Sequence, residues 1–393
     1  MMLTVFLFAA AAQFFFWGMF SRYAFTGAKQ EAAEEAGPFP PVSVIVCFRN
    51  EAAMIQNCLA SILKQEYPGG FEIVAVDDNS TDNSAAIVRQ LADEADGQVR
   101  LLQPGPTRPG KKDALAFGIT NARYEHILLT DADCLPRSHD WLTLMTRPLR
   151  GDAEVVLGVG EYALNGWQLV DRFQRFEAMY VALKYLSFAR LGLPYMGVGR
   201  NLAYRKSFFR RSGGFAGHTD LPGGDDDLLI GNNALGRSTV CVTRTRARTM
   251  SRLSGSWSVF LRQRMRHQSV GFRYRPVHQL ALGLVALSHG LFFLLGFCLL
   301  FTPFRWLALF IYAFRLPLVI ESFRRAGLET AIPSSGYASS GPHSSLGEGA
   351  AAGAEKGFQA RPEAVWMVAV FDAVLAPWYL FLAVVGMLPA RGW

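Results

Sequence analysis

The sequence has no acidic residue between Asp227 and Glu321. The first half of that stretch is instead rich in arginine: Arg237, Arg244, Arg246, Arg248, Arg252, Arg262, Arg264, Arg266, Arg273 and Arg275. Nucleic acid is one candidate partner for so basic a segment, but no recognisable nucleic-acid-binding module accompanies it. Because a hydrophobic run follows directly, we expect the arginines to face anionic membrane lipids, with no nucleic-acid partner.

Cysteine is scarce and shows no pairing pattern. The five cysteines are odd in number and include no C-x-x-C motif: Cys47, Cys58, Cys134, Cys241 and Cys298. This pattern favours reduced, buried thiols of a cytosolic domain.

Hydrophobic residues are abundant and unevenly placed. They make up 51% of the 393 residues and concentrate at the N-terminus and beyond about residue 277. The composition therefore predicts a globular domain with membrane segments at both ends.

The N-terminal hydrophobic run, Leu3 to Phe20, has no basic residue before it and is followed by Arg22 and Lys29. The positive flank predicts a transmembrane helix over 1–21 with the next domain in the cytoplasm. A cleaved signal peptide is the alternative, weakened by the missing basic n-region. The Ala-, Glu-, Gly- and Pro-rich residues that follow predict a linker over 22–41.

The C-terminal pattern predicts a transmembrane hairpin over 277–321, a flexible cytoplasmic loop over 322–362 and a last transmembrane helix over 363–389. Arg315 and Asp372 fall inside these apolar segments. A charged group within a membrane is costly unless it has a partner, so we expect these two side chains to pair. The whole pattern predicts an integral protein of the inner (cytoplasmic) membrane.

Residues 42–250 alternate between strand-like and helix-like runs. Strand, polar turn and helix in repetition predict an α/β domain with a mostly parallel sheet, whose ligands bind beyond the carboxyl ends of the strands. Four polar turns fall at those ends: Arg49-Asn50-Glu51, Asp77 to Asp82, Lys111-Lys112 and Asp131-Ala132-Asp133. Their convergence favours a nucleotide-diphosphate site over unrelated surface turns.

Asp131 and Asp133 end the most apolar of these strands, one residue apart. Hard divalent cations take oxygen ligands and share them with substrate phosphates. The pair is therefore predicted to hold Mg²⁺ or Mn²⁺ together with a diphosphate, although an isolated pair of this kind is more often a plain Asp-rich turn.

The motifs resemble, in the same order, those of the inverting family 2 glycosyltransferases with the GT-A fold, which include cellulose and hyaluronan synthases and many lipid-linked sugar transferases. The resemblance covers roughly residues 42–275 and implies a Rossmann-like sheet with helices on both faces, a nucleotide-diphosphate sugar donor and a divalent metal. It also implies residue roles: nucleoside contacts from Glu51 and Asp78, diphosphate contacts from Lys111 or Lys112, and metal contacts from Asp131 with Asp133.

The segment Met196 to Arg205 is similar to the family's glycine-rich segment beside the donor sugar. Glycine there lets the backbone approach a ligand, and Gly197, Gly199 and Asn201 are expected on the acceptor side. A plain Gly-rich hairpin is the alternative.

The acidic run Gly223 to Leu228 resembles the E-D-x-D-L motif that supplies the catalytic base. An acceptor hydroxyl needs a carboxylate to take its proton. Matching Asp227-Leu228 to the end of the motif makes Asp225 the base, with Gly224 in place of Glu, whereas matching an acidic pair makes it Asp226. We favour Asp225; a solvated acidic loop is a further alternative.

Residues 251–276 predict an amphipathic helix at the membrane interface. Gln263 to His267 resembles the Q-x-x-R-W motif that closes over donor and acceptor, so Gln263 and Arg266 are expected at the donor. His267 replaces the tryptophan on the acceptor side, which argues against processive synthesis.

The sequence therefore predicts a membrane-bound inverting glycosyltransferase that moves a sugar to a lipid-linked or glycan acceptor by metal-assisted single displacement. A processive polysaccharide synthase is the alternative enzyme. A noncatalytic membrane glycan-binding scaffold is the alternative from a different class.

Overall fold

The computed structural model describes residues 1–25, 38–108, 110–163, 168–221, 223–268, 270–327 and 362–386. Most of the predicted linker 22–41 and most of the predicted loop 322–362 therefore lie outside the described residues.

A seven-stranded sheet forms the centre of the molecule, in the order β3-β2-β1-β4-β8-β6-β9. Strand β8 is antiparallel to both neighbours and the other pairings are parallel, so the sheet is mostly parallel, as predicted. A small second sheet has the order β5-β10-β7. The strands are β1 (Val42–Phe48), β2 (Phe71–Asp77), β3 (Val99–Leu102), β4 (His126–Asp131), β5 (Leu135–Pro136), β6 (Val155–Leu157), β7 (Gly160–Tyr162), β8 (Leu202–Arg205), β9 (Thr239–Cys241) and β10 (Thr249–Ser251).

Helices cover both faces of this sheet, which is why its inner strands are apolar along their whole length. The helices are α1 (Met2–Tyr23), α2 (Ile55–Leu63), α3 (Ser84–Glu94), α4 (Lys112–Asn121), α5 (Trp141–Thr146), α6 (Leu169–Arg190), α7 (Lys206–Arg211), α8 (Asp227–Asn233), α9 (Trp257–Gln268), α10 (Pro276–Leu299), α11 (Arg305–Arg325) and α12 (Pro362–Gly386).

Alternate residues of β1 show the two faces of the sheet. Ile45 belongs to the cluster that includes α4 and α6, whereas Val44 and Val46 belong to the cluster that includes α2 and α5. All three side chains are fully buried. Successive side chains of a strand point to opposite faces, so one strand contributes to both halves of the core.

Among the residues that the structure describes, three helices are long and apolar enough to span a membrane, namely α1, α10 and α11. The apolar helix α12 packs beside α10 and α11, and α1 packs against the same two helices. The long helix α6 joins this bundle to the sheet: Phe176 stacks on Phe323 of α11 at 4.4 Å, and Tyr180 lies 5.9 Å from Trp17 of α1 between ring centroids.

An ion pair is buried within the bundle, and it confirms the predicted pairing of Arg315 with Asp372. Both side chains are fully buried, and two nitrogen–oxygen distances join them, at 2.5 and 3.1 Å. Gln13 of α1 accepts a further hydrogen bond from Arg315 at 2.8 Å. The guanidinium also lies 5.3 Å from the ring centroid of Trp17 and 5.0 Å from that of Phe292. These contacts tie together α1, α10, α11 and α12.

We expect Arg315→Met or Asp372→Leu alone to destabilise the protein by about 3–5 kcal/mol, because each leaves a buried charge without its partner. The double replacement removes both charges and should recover much of the loss. Thermal unfolding in detergent measures all three variants. A double variant no more stable than either single variant would contradict the account.

Candidate active site

One cavity of about 1270 Å³ opens at the carboxyl ends of the parallel strands. It is lined by most of the site residues that the sequence predicts: Glu51, Lys111, Asp131, Asp133, Gly199, Asp225, Asp226, Gln263, Arg266 and His267. These side chains come from segments far apart in the chain, and the sheet brings them to one edge.

The register of the strands explains why the turns after β1, β2 and β4 lie side by side. Strand β1 pairs in parallel with β2 and β4, and places Cys47 level with Asp131. The turn after β1 is fastened to the turn after β2 because Asn50 Oδ1 accepts a hydrogen bond from the Thr81 backbone N–H at 2.8 Å. Asn50 has a φ of 57°, and asparagine tolerates this left-handed conformation better than most residues.

Lys111 is the cation at the centre of the site. Its ammonium lies 3.0 Å from Asp131 Oδ1 and 3.1 Å from Asp225 Oδ2. Burial alone would lower the pKa of Lys111, but Asp131, Asp225 and Asp226 together raise it well above its usual value. Lys111 therefore carries a fixed positive charge between the predicted metal ligand and the predicted base.

Gly199 lies close to these charged groups. A Cβ at this position would lie 3.1 Å from Lys111 Nζ and 3.4 Å from Asp226 Oδ2. The glycine thus lets the backbone approach the charged groups closely, whereas the approach to a ligand that the sequence predicts for this segment stays a prediction.

Lys112 has a different role from its neighbour. Its ammonium donates to the carbonyl oxygens of His218 at 2.5 Å and Leu221 at 3.0 Å, and the residue is 5% exposed. Burial lowers its pKa. Lys112 holds the loop before the acidic run, and its predicted role as an alternative diphosphate ligand does not fit the structure.

Asp131 and Asp133 form a pair of oxygen ligands suited to a hard cation. One ligand atom from each, with the sulfur of Cys134, lies within 4.8 Å of the others. Burial, followed by the charge of Asp131, raises the pKa of Asp133, and a cation would relieve this repulsion. The Cys134 thiol is hydrogen-bonded with Ser251 at 3.0 Å, and burial raises its pKa well above its usual value, so it stays a protonated thiol. The donor set therefore fits Mg²⁺ or Mn²⁺.

The three aspartates at the start of α8 are engaged differently. Both Asp226 oxygens accept backbone N–H bonds, from Gly199 at 2.7 Å and Asp227 at 3.0 Å. Asp227 accepts from the Tyr274 hydroxyl at 3.1 Å. All three residues line the cavity, and the Asp225 carboxylate pairs with the Lys111 ammonium, while no backbone N–H of another described residue bonds to either of its oxygens. The geometry thus favours Asp225 as the carboxylate presented to a ligand, with Asp226 and Asp227 positioning the loop.

The pKa values of Asp225 and Asp226 shift in opposite directions. Burial raises the pKa of Asp225, but Lys111 outweighs it, so that the net shift is downward. Burial and the neighbouring Asp225 raise the pKa of Asp226 to about 6. At neutral pH, the Asp225 carboxylate is therefore ionised.

Gly224 stands where the resemblance expects glutamate. Its φ is 89°, a region that side chains rarely adopt, and a Cβ would lie 3.0 Å from Leu228 Cδ1. The backbone path of this chain therefore requires glycine at the position.

Two residues predicted on the acceptor side lie in the core instead. Asn201 is fully buried: it accepts from Trp141 Nε1 at 3.0 Å and donates to the carbonyls of Val159 and Ala247. A Cβ on Gly197 would lie 3.0 Å from Leu202 Cδ1. The expectation for Asn201 and Gly197 is therefore wrong, because the turn alternates between the cavity and the core.

Asp78 lies beside the cavity without lining it. Its backbone N–H donates to Phe48 at 2.8 Å, and its carboxylate accepts from the Thr107 hydroxyl at 2.5 Å. The residue is therefore at the predicted strand end, with its carboxylate turned to a neighbouring loop.

Helix α9 contributes Gln263, Arg266 and His267 to the cavity wall. Burial, together with the charges of Arg264 and Arg266, lowers the pKa of His267 to about 3. The imidazole that replaces the motif's tryptophan is therefore neutral at physiological pH.

A polar group further along the cavity includes Glu177 and Lys184, which belong to none of the sequence motifs. Arg264 lies 3.2 Å from Glu177, which also accepts from the Tyr379 hydroxyl at 3.0 Å, and Lys184 lies 4.4 Å from the Tyr180 ring centroid. A signal was available, because Glu177 and Lys184 lie seven positions apart, about two helical turns, among the aromatic residues Phe176, Tyr180 and Tyr185.

Comparison with known proteins agrees with this geometry. Residues 43–213 match the family model "Glycosyl transferase family 2". These residues form a family 2 glycosyltransferase domain. The fold of a mannosyltransferase from Pyrobaculum calidifontis, solved with GDP-Man and Mn²⁺, superposes with a TM-score of 0.52 at 18% identity, over 84% of this chain and 100% of that chain. The structure thus confirms the predicted GT-A fold.

Curated relatives match parts of this chain. Glycosyltransferase GlyG of Streptococcus pneumoniae serotype 4 is 35% identical over 117 residues, which is 30% of this chain and 38% of the relative. Beta-monoglucosyldiacylglycerol synthase of Nostoc sp. is 34% identical over 138 residues, which is 34% of this chain and 30% of the relative. The chain therefore spans well under half the length of these two relatives.

The two adjacent lysines give a matched test of the site. Lys112→Met leaves two buried carbonyls without a donor and should cost about 1–3 kcal/mol of stability. Lys111→Met leaves the Asp225 carboxylate, which is 9% exposed, without its cation, and should cost stability that is regained as the pH falls and Asp225 takes up a proton. Thermal unfolding of both variants, relative to the wild type at pH 7 and pH 5, checks this difference. The loss in Lys112→Met should be the same at both pH values, and an equal pH response of the two variants would show that the two ammonium groups are wrongly placed.

Proposed function

We propose that this protein is a membrane-bound inverting glycosyltransferase that moves a sugar from a nucleotide-diphosphate donor to a lipid-linked or glycan acceptor. One observation carries the proposal: the cavity that holds Lys111, Asp131, Asp133 and Asp225 is also lined by the membrane helix α10 and by α12. An activated sugar bound at the sheet edge and an acceptor in the membrane can therefore meet in one space.

The donor end of the cavity suits a diphosphate. Lys111 and Arg266 supply positive charge, and the Asp131–Asp133 pair would hold Mg²⁺ or Mn²⁺. A metal bound there neutralises charge on the diphosphate and favours its departure. Glu51 lines the same end and is the candidate contact for the nucleoside.

Asp225 is the proposed general base. Its carboxylate takes the proton of the acceptor hydroxyl while that oxygen attacks the anomeric carbon from the face opposite the diphosphate. The bond between the anomeric carbon and the diphosphate oxygen breaks in the same displacement, and its electron pair leaves with the nucleoside diphosphate. Configuration is therefore inverted. Lys111, placed 3.1 Å from Asp225, stabilises charge on the leaving group.

A lipid-linked or glycan acceptor at the inner membrane is supported by the apolar helices. The arginine-rich segment before α10 supports it less than the sequence suggests, because four of its arginines pair with protein carboxylates: Arg246 with Asp140, Arg248 with Glu161, Arg264 with Glu177 and Arg273 with Asp220. The name of the Nostoc relative refers to a glycosylated lipid, which supports the same acceptor class. The catalytic domain then faces the cytoplasm, where nucleotide sugars are available.

The metal pair can be tested by donor binding. Asp131→Asn and Asp133→Asn should each weaken Mn²⁺-dependent binding of a nucleotide sugar by more than about tenfold, or about 1.4 kcal/mol. Calorimetry with UDP-, GDP- and dTDP-sugars, with and without Mn²⁺, measures this. Unchanged affinity in both variants would remove the metal from the proposal.

The base can be tested by transfer to membrane acceptors. Asp225→Asn should lower the rate of sugar transfer by about 10²–10⁴-fold while donor affinity is kept. Asp226→Asn is the matched control. Because Asp226 positions the loop through its backbone N–H bonds, this variant should lose both transfer rate and thermal stability. The wild-type product should carry a single added sugar with inverted configuration; a ladder of products would favour the processive synthase instead.

A further inference from the structure

The cavity does not end at the catalytic edge of the sheet. Beyond Asp225 and His267 it continues between α6, α10 and α12, a part that we call the membrane arm. The arm is lined by apolar side chains such as Leu282, Val285 and Leu375. Apolar walls do not stabilise a polar nucleotide sugar, whereas burial of a hydrocarbon chain against them is favourable.

Two glycines keep the wall of the membrane arm open. Gly283 and Gly290 lie seven positions apart on α10, on the side that lines the cavity, and a Cβ at either would meet no atom within 4 Å. Neither close packing nor a left-handed backbone requires glycine there. Their spacing corresponds to about 10 Å along the helix. Open space thus lies at both ends of this length, where a hydrocarbon chain could run along the helix.

A cation without an anionic partner faces the same arm. The Lys184 ammonium lies 4.4 and 4.7 Å from the ring centroids of Tyr180 and Tyr379, and it makes no hydrogen bond or ion pair with any residue that the structure describes. The nearby Glu177 carboxylate is already engaged by Arg264 and by the Tyr379 hydroxyl. Arg264 and Lys184 are thus two cations near the single carboxylate of Glu177, and this group carries one net positive charge.

This excess charge identifies the kind of head group. Burial lowers the pKa of Lys184 to about 8, so that the ammonium stays charged at neutral pH. The residue is half-buried, and an anion that approaches a partly desolvated cation stabilises it. Phosphate is the anionic group that membrane lipids commonly carry, and lysine binds it as a point charge.

We infer that the acceptor is a lipid phosphate, with its phosphate group on Lys184 and its hydrocarbon chain in the membrane arm beside Gly283 and Gly290. The inference rests on the proposed transferase function and narrows its acceptor class, because neutral lipids such as diacylglycerol would leave Lys184 without a partner.

The test is lipid binding to the full chain in dodecyl maltoside micelles, which contain no phosphate. Native mass spectrometry follows titration with two matched pairs: a long-chain isoprenyl phosphate with its isoprenol, and dioleoyl phosphatidic acid with dioleoylglycerol. At least one phosphate lipid should bind more than tenfold tighter than its neutral partner. Lys184→Gln should remove this advantage, and Lys184→Arg should keep it. Millimolar inorganic phosphate should not displace the lipid.

The chain site has its own matched pair of variants. Gly290→Leu should block binding of the phosphate lipid, whereas Gly18→Leu should not, because Gly18 has equally open surroundings in α1 but does not line the cavity. Mn²⁺-dependent donor binding, measured on every sample, reports that the variant is folded.

Three results would overturn the inference: neutral and phosphate lipids that bind equally, a Lys184→Gln variant with unchanged selectivity, or displacement by inorganic phosphate. If the wild type binds donor but shows no selective lipid binding, the inference fails alone. If the wild type fails to bind any nucleotide sugar, the proposed function itself fails.

Discussion

The structure depends on the crowding of carboxylates at one edge of a parallel sheet. Asp131 and Asp133 end one strand, and Asp225 and Asp226 reach the same cavity from the loop before α8. Like charges at this distance repel, so the cluster is tolerable only if cations or N–H groups face it. Lys111 faces two of the carboxylates, and the backbone of Gly199 faces a third. A divalent metal on Asp131 and Asp133 would supply the positive charge that the cluster still lacks.

Helix α6 connects the sheet that carries these carboxylates to the membrane helices. One side of the helix packs on the sheet, and Phe176 and Tyr180 pack against α11 and α1. The same helix supplies Glu177 and Lys184 to the cavity wall. A shift of the bundle relative to the sheet would therefore move the polar groups of the cavity as well. The buried Arg315–Asp372 pair opposes such a shift by fixing the helices of the bundle to one another.

Much of the fold could be predicted from local sequence patterns. Strands β1 and β3 begin and end where the apolar runs do, and the hairpin of α10 and α11 follows from two apolar runs with almost no loop between them. The Arg315–Asp372 pair was also predictable, since two charges in apolar segments have few alternative partners. The small sheet was not, because β5, β7 and β10 are two or three residues long and pair only through tertiary contacts.

The site shows the same limit at the level of single residues. A motif indicates which turn reaches the cavity, but not which way each side chain in the turn points. Lys111 and Lys112 are adjacent, yet one faces the carboxylates and the other binds two carbonyls. Gly199 lines the cavity while Asn201 is hydrogen-bonded in the core. Lys184 belongs to no motif, and its importance emerges only when the cavity is seen to continue past the sheet.

An experimental structure of the full chain with Mn²⁺ and a nucleoside diphosphate tests the central claim most directly. Anomalous scattering should place manganese on the carboxylates of Asp131 and Asp133, with the diphosphate within hydrogen-bond distance of Lys111 and with Asp225 facing the vacant sugar position. Manganese bound elsewhere, or a diphosphate bound away from Lys111, would contradict the account.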